Sequence, residues 1–271
     1  MRRCCILLLS LFFADAQAAV LHVAVSSPPL AWMLQQLGGE HVVVATLLRP
    51  GDEPELFDPP PQQMQVLTLS SLYFSLALPF ERQVLPRLAQ GTMRVVPLTR
   101  LQRGQDPHVW MSVAWMQSFA DQAAPALIAA DAADAAYFRA RAVALRQRLQ
   151  VLDARLRADF AGIPPARRVF LVEHPALGYF AHDYALTQLA IEDHGHEPGP
   201  EGLSELLARA RAAHISRIFV ERQFSGRQAS ILARQLHAQV IVFDPLNADW
   251  AATMQSLGET LAASMRAPEP R

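Results

Sequence analysis

"DAADAAYFRARAVALRQRLQVLDARLRADF", residues 131–160, decides how the chain is organised. Its apolar residues recur every three or four positions, at Phe138, Ala142, Leu145, Leu149, Leu152, Leu156 and Phe160. No glycine or proline interrupts the stretch before Gly162. The pattern predicts an amphipathic helix of about 45 Å at 1.5 Å per residue. A crossover between neighbouring strands needs less, so we interpret the helix as a spine between two lobes, with a coiled-coil partner as the alternative.

Short apolar runs alternate with helix-like segments on both sides of this stretch. The runs before it are VLHVAVS (20–26), VVVATLL (42–48), LYFSLAL (72–78) and RVVPL (94–98). Those after it are RVFLVEH (168–174), LTQLAI (186–191), RIFVER (217–222) and VIVFDPL (240–246). Such alternation is typical of parallel sheets with crossover helices. We therefore predict an α/β protein of two lobes, each a mostly parallel sheet flanked by helices, joined by one long spine helix.

The first residues have the layout of a secretory signal peptide. Two arginines precede an apolar run from Cys4 to Phe13, and small residues follow, which predicts cleavage after Ala16 or Ala18. The run is shorter than the roughly 20 residues that a membrane-spanning helix needs. We predict export to the periplasm. We divide the chain into a signal peptide (1–18), an N-terminal α/β lobe (19–130), a long linking helix (131–162) and a C-terminal α/β lobe (163–271).

Composition limits the chemistry that the mature chain can perform. Cys4 and Cys5 are the only cysteines, and both lie in the predicted signal peptide. Disulfides, zinc–thiolate clusters and a cysteine nucleophile are therefore excluded, and any metal must be held by histidine and carboxylate. The formal net charge is −1 for the whole chain, and it becomes −1 − 2 + 1 = −2 once Arg2, Arg3 and Asp15 are removed with residues 1–18, which is too close to neutral for electrostatic capture of nucleic acid.

Several polar side chains follow the apolar runs directly. In α/β sheets, ligands bind beyond the carboxyl ends of the strands. His174 ends one run, Asp244 lies before Pro245 near the end of another, and the acidic loop RPGDEPELFDPPP (49–61) follows a third. His108, in DPHVW, lies beside a further short apolar run. Each feature alone is weak, since an isolated Asp-Pro is usually a turn and a lone histidine is usually structural.

Taken in order, these segments resemble the periplasmic metal-binding receptors of ABC importers for zinc and manganese, in their zinc-receptor-like branch. The resemblance covers nearly all of the mature chain. It is carried by SSPPLAWMLQQLGGEHVVVATLLRPGDEP, by DPHVW, by EHPALGYFAHDYALTQLAIEDHGHEPGPEGLSELL and by FVERQFSGRQASILARQLHAQVIVFDPLNADW. It implies one divalent cation in a cleft between two α/β lobes, delivery to an ABC permease at the inner membrane, a monomer, and no enzymatic activity.

The resemblance also implies the ligands. By motif, His108, His174 and Asp244 match the second, third and fourth ligands of the family. The first ligand should be a histidine in a Pro-Gly-x-x-Pro-His stretch, and this chain has Glu55 at that place. A carboxylate binds zinc at about the same distance as an imidazole does. The implied site is therefore Glu55, His108, His174 and Asp244.

A glutamate at position 55 changes the charge and the metal preference of such a site, and it leaves alternatives open. Two histidines and two carboxylates neutralise a dication, and the harder oxygen ligands make manganese or ferrous iron more plausible. The affinity order and the zinc-like third segment favour Zn²⁺, with Mn²⁺ as the alternative. Glu55 could instead be a solvated loop residue, Asp52, Glu53 or Asp58 could bind in its place, or the site could hold no metal.

Other functions compete with a receptor. Three ligands and an open position would suit a zinc-dependent hydrolase. However, the chain has no His-Glu-x-x-His motif and no Gly-x-Ser-x-Gly motif. A metal-binding adhesin, as known for some relatives of this family, would keep the same site. His194 and His196, in "HGH", are either an accessory metal contact or, as we favour, an exposed turn.

Overall fold

Two parallel sheets of four strands each form the framework of the computed structural model, which describes residues 20–88, 91–98, 106–192 and 198–266. The first sheet has the order β2-β1-β3-β4 and contains β1 Leu21–Val25, β2 Val42–Thr46, β3 Leu72–Ser75 and β4 Arg94–Pro97. The second has the order β6-β5-β7-β8 and contains β5 Val169–Val172, β6 Thr187–Ala190, β7 Arg217–Glu221 and β8 Gln239–Phe243. The predicted fold class is confirmed.

Helices connect the strands and cover the sheets. In chain order they are α1 Pro28–Gly38, α2 Pro61–Thr68, α3 Pro79–Leu88, α4 Val113–Ala130, α5 Ala135–Phe160, α6 Gly178–Asp183, α7 Pro200–Ala212, α8 Arg227–Leu236 and α9 Trp250–Arg266. Short 3-10 turns cover Gly39–His41, Val109–Met111 and Pro165–Arg167. No helix in the described ranges is long and apolar enough to cross a membrane.

The predicted spine is α5, and it is shorter at both ends than the stretch 131–162. It begins at Ala135 because Asp131 still belongs to the end of α4, where its N–H donates to the Leu127 carbonyl at 2.9 Å. It ends at Phe160, just before Gly162 with its φ of 75°. Its 26 residues give a length of about 39 Å.

The apolar stripe of α5 is buried, and both lobes meet around this helix. The buried positions are those that the spacing predicts, except that Ala142 is only partly buried. Helices α1 and α4 of the first lobe pack on α5, and so does the C-terminal helix α9. Helix α9 also contacts α1 and β5. The last helix therefore binds to both lobes and not to the second lobe alone, although the predicted lobe boundaries stay a prediction.

Alternating side chains of the second sheet enter two different cores. Phe170 and Val172 on β5, with Phe219 on β7, belong to a core that continues through α5 into the first lobe. Leu171 and Ile218 face the other side, under α7 and α8. Successive residues of a strand point to opposite faces, so one face of this sheet is joined to the spine.

Candidate metal centre

The acidic loop after β2 is held by its backbone and by one of its own carboxylates. Leu48 N–H donates to the Ser26 carbonyl at 2.8 Å and so extends the ladder between β1 and β2. Asp52 closes the following turn, where its Oδ2 accepts from the Arg49 N–H at 2.8 Å. The turn also uses Gly51, whose φ is +90°. Asp52 therefore has a structural role.

Glu55 lies on the second half of this loop, on the side of the cleft. The Phe57 ring packs edge-on against Phe80 with 5.0 Å between ring centroids, which anchors the end of the loop on α3. The Glu55 side chain is 36% exposed, and its Oε1 lies 4.0 Å from His174 Nε2. Asp58, by contrast, is exposed to solvent. Of the loop carboxylates, Glu55 is the one that groups with histidines to form a possible metal site in the described chain.

His108 is almost fully buried, with 1% of its surface exposed, and is oriented by Asp106. The Asp106 Oδ1 atom accepts from the His108 backbone N–H at 2.9 Å and lies 2.8 Å from the ring Nδ1. A carboxylate only accepts, so Nδ1 carries the proton and Nε2 is left for a metal. Carboxylate–histidine pairs of this kind orient metal ligands and make them more basic. The ring of Trp110 packs against His108 at 5.4 Å.

His174 follows the carboxyl end of β5, as the strand pattern predicts. The Glu173 N–H bonds to the Phe219 carbonyl at 2.8 Å, so strand pairing continues up to the ligand. The ring stacks on Phe224 at 5.0 Å, and its Nδ1 lies 3.4 Å from Glu192 Oε2. The Nε2 atom then faces Glu55.

Glu55, His108 and His174 converge on one point, and we call these three residues the cleft cluster. One possible ligand atom from each lies within 4.8 Å of the other two. Two ligands of a tetrahedral zinc ion, each about 2.1 Å from the metal, are roughly 3.4 Å apart. The 4.0 Å between Glu55 Oε1 and His174 Nε2 would need to shorten by about 0.6 Å, which a side-chain rotation provides. The donor set therefore fits a zinc-sized cation.

Asp244 lies beside the cleft cluster without joining it. It follows β8 and is 8% exposed. Its Oδ1 accepts from the Leu246 N–H at 2.9 Å, and its Oδ2 lies 3.8 Å from Arg222 Nε. The structure thus brings together three of the four residues that the sequence predicts and leaves Asp244 outside the 4.8 Å limit.

The two imidazoles have pKa values shifted in opposite directions. Burial and the nearby His108 lower the pKa of His174 to about 4, so His174 is neutral and ready to bind. Burial also lowers the pKa of His108, but the Asp106 hydrogen bond and the charges of Glu221, Asp106 and Glu55 outweigh it and raise the pKa above its ordinary value. Protons therefore compete with a metal ion for His108 at a higher pH than they do for His174.

Several carboxylates around the cleft cluster were not predicted as site residues from the sequence. Asp106 and Glu192 are two of them, and each contacts a histidine. Glu53 was predicted as an alternative ligand, and burial together with the charges of Glu55 and Glu192 raises its pKa. Glu221 is 1% exposed, and burial raises its pKa to about 7. Its position at the end of "RIFVE" (217–221) was the signal that could have found it, since it is a polar residue at the carboxyl end of a strand. His194 and His196 lie outside the described residues.

Known proteins with the same architecture include metal-binding receptors. The sequence matches the family "Zinc-uptake complex component A periplasmic" over residues 23–264. A putative metal-binding protein of Treponema pallidum (strain Nichols) is 28% identical over 247 residues, 81% of this chain and 78% of that protein. The manganese-binding lipoprotein MntA of Bacillus subtilis (strain 168) is 26% identical over 229 residues, 79% of this chain and 74% of MntA.

A solved structure agrees with the family match. The crystal structure of ZnuA superimposes with a TM-score of 0.85 and 30% identity, covering 91% of this chain and 99% of that chain. The resemblance inferred from the sequence motifs is thereby confirmed. The chain belongs to the ZnuA family of periplasmic metal-binding receptors that serve ABC transporters.

Proposed function

We propose that this protein captures one zinc ion in the periplasm and delivers it to an ABC permease at the inner membrane. The convergence of Glu55, His108 and His174 carries the proposal. Each histidine has a carboxylate near its Nδ1, Asp106 for His108 and Glu192 for His174. Two buried imidazoles, each with a carboxylate near one ring nitrogen so that the other nitrogen is left for a metal, are a ligand pair suited to zinc.

Manganese is the alternative cargo. Glu55 replaces an imidazole nitrogen by a harder oxygen ligand, which weakens the discrimination between zinc and manganese or ferrous iron. The similarity to the manganese-binding lipoprotein MntA is consistent with that alternative. Zinc is favoured because nitrogen and oxygen sites bind it more tightly than manganese in general.

Glu55 takes the role of the first ligand in this proposal. It lies on the rim of the cleft, where a partly exposed carboxylate can rotate toward an entering cation. With a second carboxylate, it makes the loaded site neutral, and a neutral cluster costs less to bury than a charged one. Asp244 is the fourth ligand that the sequence predicts, and it would have to leave the Leu246 N–H or turn from Arg222 to reach the metal.

The remaining parts of the proposal concern location and partners. Residues 1–18 would direct export and be removed, and the mature chain would act as a monomer at the permease surface. The proposed role is binding and release, without catalysis, because a fourth protein ligand would occupy the position that a zinc hydrolase keeps open for water. Lobe or loop movements at the permease would release the ion.

Metal content and metal titration test the proposal. The protein purified from its native periplasm should contain about one zinc per chain, since one ion fits the cleft cluster. The apo protein should bind zinc more tightly than manganese. Glu55→Ala should weaken zinc binding, and Glu55→His should restore it and sharpen the preference for zinc. His182→Ala is the control, because the His182 side chain is 89% exposed on α6.

Two results would contradict the proposal. A wild-type protein that binds neither metal would refute the receptor function. Unchanged zinc affinity in Glu55→Ala would refute the ligand role of Glu55 alone.

A further inference from the structure

A second carboxylate, Glu221, lies at the edge of the C-terminal sheet where the ligands gather. It is the last residue of β7, and β7 lies between β5 and β8. His174 follows β5, and Asp244 follows β8. Glu221 is paired in register with Phe243, the residue before Asp244. The topology therefore places Glu221 between the two residues that sequence motifs assign to the metal.

One oxygen of Glu221 is buried and has no hydrogen-bond partner among the residues that the structure describes. The residue is 1% exposed. Its Oε2 accepts from Gln223 Nε2 at 2.5 Å, whereas its Oε1 has no hydrogen-bond partner within the described ranges. A buried carboxylate oxygen without a partner is costly unless a donor or a cation supplies the missing interaction.

A purely structural role explains this arrangement poorly. If Glu221 served only to anchor Gln223, the pair would form a completed network. The Gln223 Oε1 atom is also buried without a partner in the described part of the chain. Networks that are only partly satisfied cost stability, and a bound ion or water is one explanation for a buried polar group that lacks a partner.

Asp244 differs from Glu221 in this respect. One of its oxygens accepts from the Leu246 N–H, and the other faces the Arg222 guanidinium. Both oxygens are thus engaged in holding the loop that follows β8. Glu221 and Asp244 both lie outside the 4.8 Å group formed by the cleft cluster, so either side chain would have to move to reach a metal ion. Coordination by Asp244 would also break one of these interactions, whereas coordination by Oε1 of Glu221 would break none.

The strand register brings Glu221 beside a member of the cleft cluster. Val172 on β5 pairs with Phe219 on β7, and the Glu173 N–H continues this ladder by donating to the Phe219 carbonyl. Two residues further along each strand, His174 and Glu221 therefore lie side by side at the carboxyl edge of the sheet. The direction of the charge effects agrees, since the Glu221 charge is among the causes that raise the pKa of His108.

We propose that the free Oε1 of Glu221 is the metal-binding oxygen that the C-terminal lobe adds to the cleft cluster. Asp244 then positions the loop after β8 and does not contact the metal. The inference rests on the proposed metal-receptor function and assigns one ligand within it. It also explains why the sheet keeps a carboxylate buried at the end of its β7 strand.

Zinc titration and a cobalt spectrum test this assignment. Zinc affinity is measured by competition with a chromogenic chelator, and the visible bands of the Co²⁺-loaded protein report the ligand set. Glu221→Gln should weaken zinc binding at least about tenfold, since loss of a ligand costs no less than loss of a residue that orients one. It should also shift the Co²⁺ bands. Asp244→Asn should stay within about fivefold of the wild type, as for a weak ion pair, with unchanged bands.

A control and a second variant separate binding from folding. Glu81→Gln neutralises another fully buried glutamate, whose oxygens accept from Tyr73, Ser75 and Leu78 in the N-terminal lobe. It should keep the wild-type zinc affinity and cobalt bands. If Glu221→Gln does not fold, Glu221→Asp retains the charge but shortens the reach, and it should still bind zinc more weakly than Asp244→Asn does.

The outcomes distinguish this proposal from the proposed function. Wild-type affinity and wild-type cobalt bands in both Glu221 variants would overturn it, as would a band shift in Asp244→Asn without one in Glu221→Gln. In either case the receptor function would stand, provided that the wild type binds zinc and His174→Ala does not. A wild type that binds no metal would instead overturn the proposed function itself.

Discussion

Asp106→Asn is expected to weaken zinc binding about 10- to 100-fold at a pH where His108 is neutral, as for other residues that orient a metal ligand. Asp106 accepts from the backbone N–H of His108 at 2.9 Å and lies 2.8 Å from its Nδ1. Asparagine has the same shape and can keep the backbone bond, but it carries no charge. The loss corresponds to about 1.4–2.8 kcal/mol of binding free energy, at 1.4 kcal/mol per factor of ten.

The loss of zinc affinity caused by Asp106→Asn should become smaller as the pH falls. Burial lowers the pKa of His108, but the Asp106 hydrogen bond and the charges of Glu221, Asp106 and Glu55 raise it above its ordinary value. Below that pKa, a proton competes with zinc for the imidazole of the wild type. In Asp106→Asn the pKa of His108 is raised less than in the wild type. Protons therefore compete less with zinc for His108 in the variant. Burial and the nearby His108 lower the pKa of His174 to about 4, so His174 adds no such competition near neutral pH.

Chelator competition at several pH values measures both effects in one series. Asp121→Asn is the matched control, because Asp121 pairs with Arg146 on the exposed surface of α4 and should leave zinc affinity unchanged. Equal affinities of Asp106→Asn and the wild type at alkaline pH would refute the orienting role. A difference that widens toward acidic pH would refute the assignment of the competing proton to His108.

Two glycine substitutions, Gly258→Ala and Gly178→Ala, test the packing around the spine helix and around the metal site, and a third, Gly199→Ala, is the control. Gly258→Ala would place a Cβ 2.3 Å from Leu156 Cδ2, between α9 and α5, so we expect a loss of about 1–3 kcal/mol in the free energy of unfolding, measured by urea denaturation. In Gly199→Ala the new Cβ meets nothing within 4 Å, and equal losses in the two variants would contradict the packing explanation. Gly178→Ala would place a Cβ 2.9 Å from Asp106 Oδ2, so we expect weaker zinc binding with little change in melting temperature, and unchanged affinity would show that Asp106 adjusts freely.

The elements with strong local periodicity were predictable from sequence. The spine helix shows in the spacing of its apolar residues, because one helical face alone packs against the lobes. Helix α4 was not identified, although it has 18 residues. Its alanines are buried around much of the helix and Pro125 lies inside it, so neither a clear stripe nor an uninterrupted run marks it. Its start is clear in the structure, where the Ser112 hydroxyl caps the Trp115 N–H at 2.9 Å.

Sequence patterns located the site better than they located its ligand atoms. His174 and Asp244 follow strands of one parallel sheet, so their arrival at one edge could be expected. Whether a carboxylate there is free to bind depends on the backbone amides and arginines that approach it after folding. The Leu246 N–H and Arg222 engage Asp244. Such contacts have no signature in residue spacing.

Glu55 affects the proton balance of the site as well as its charge. The Glu55 carboxylate contributes to the raised pKa of His108 and partly opposes the lowering at His174. A histidine at this position would remove that negative charge, so His108 would hold its proton less firmly. The new histidine would also be a third imidazole that must be neutral to bind zinc, so in chelator competition across pH the zinc affinity of Glu55→His should fall more steeply with acid than that of the wild type. A glutamate as first ligand therefore makes the loaded site neutral and leaves two ligand imidazoles, not three, at which protons compete with zinc.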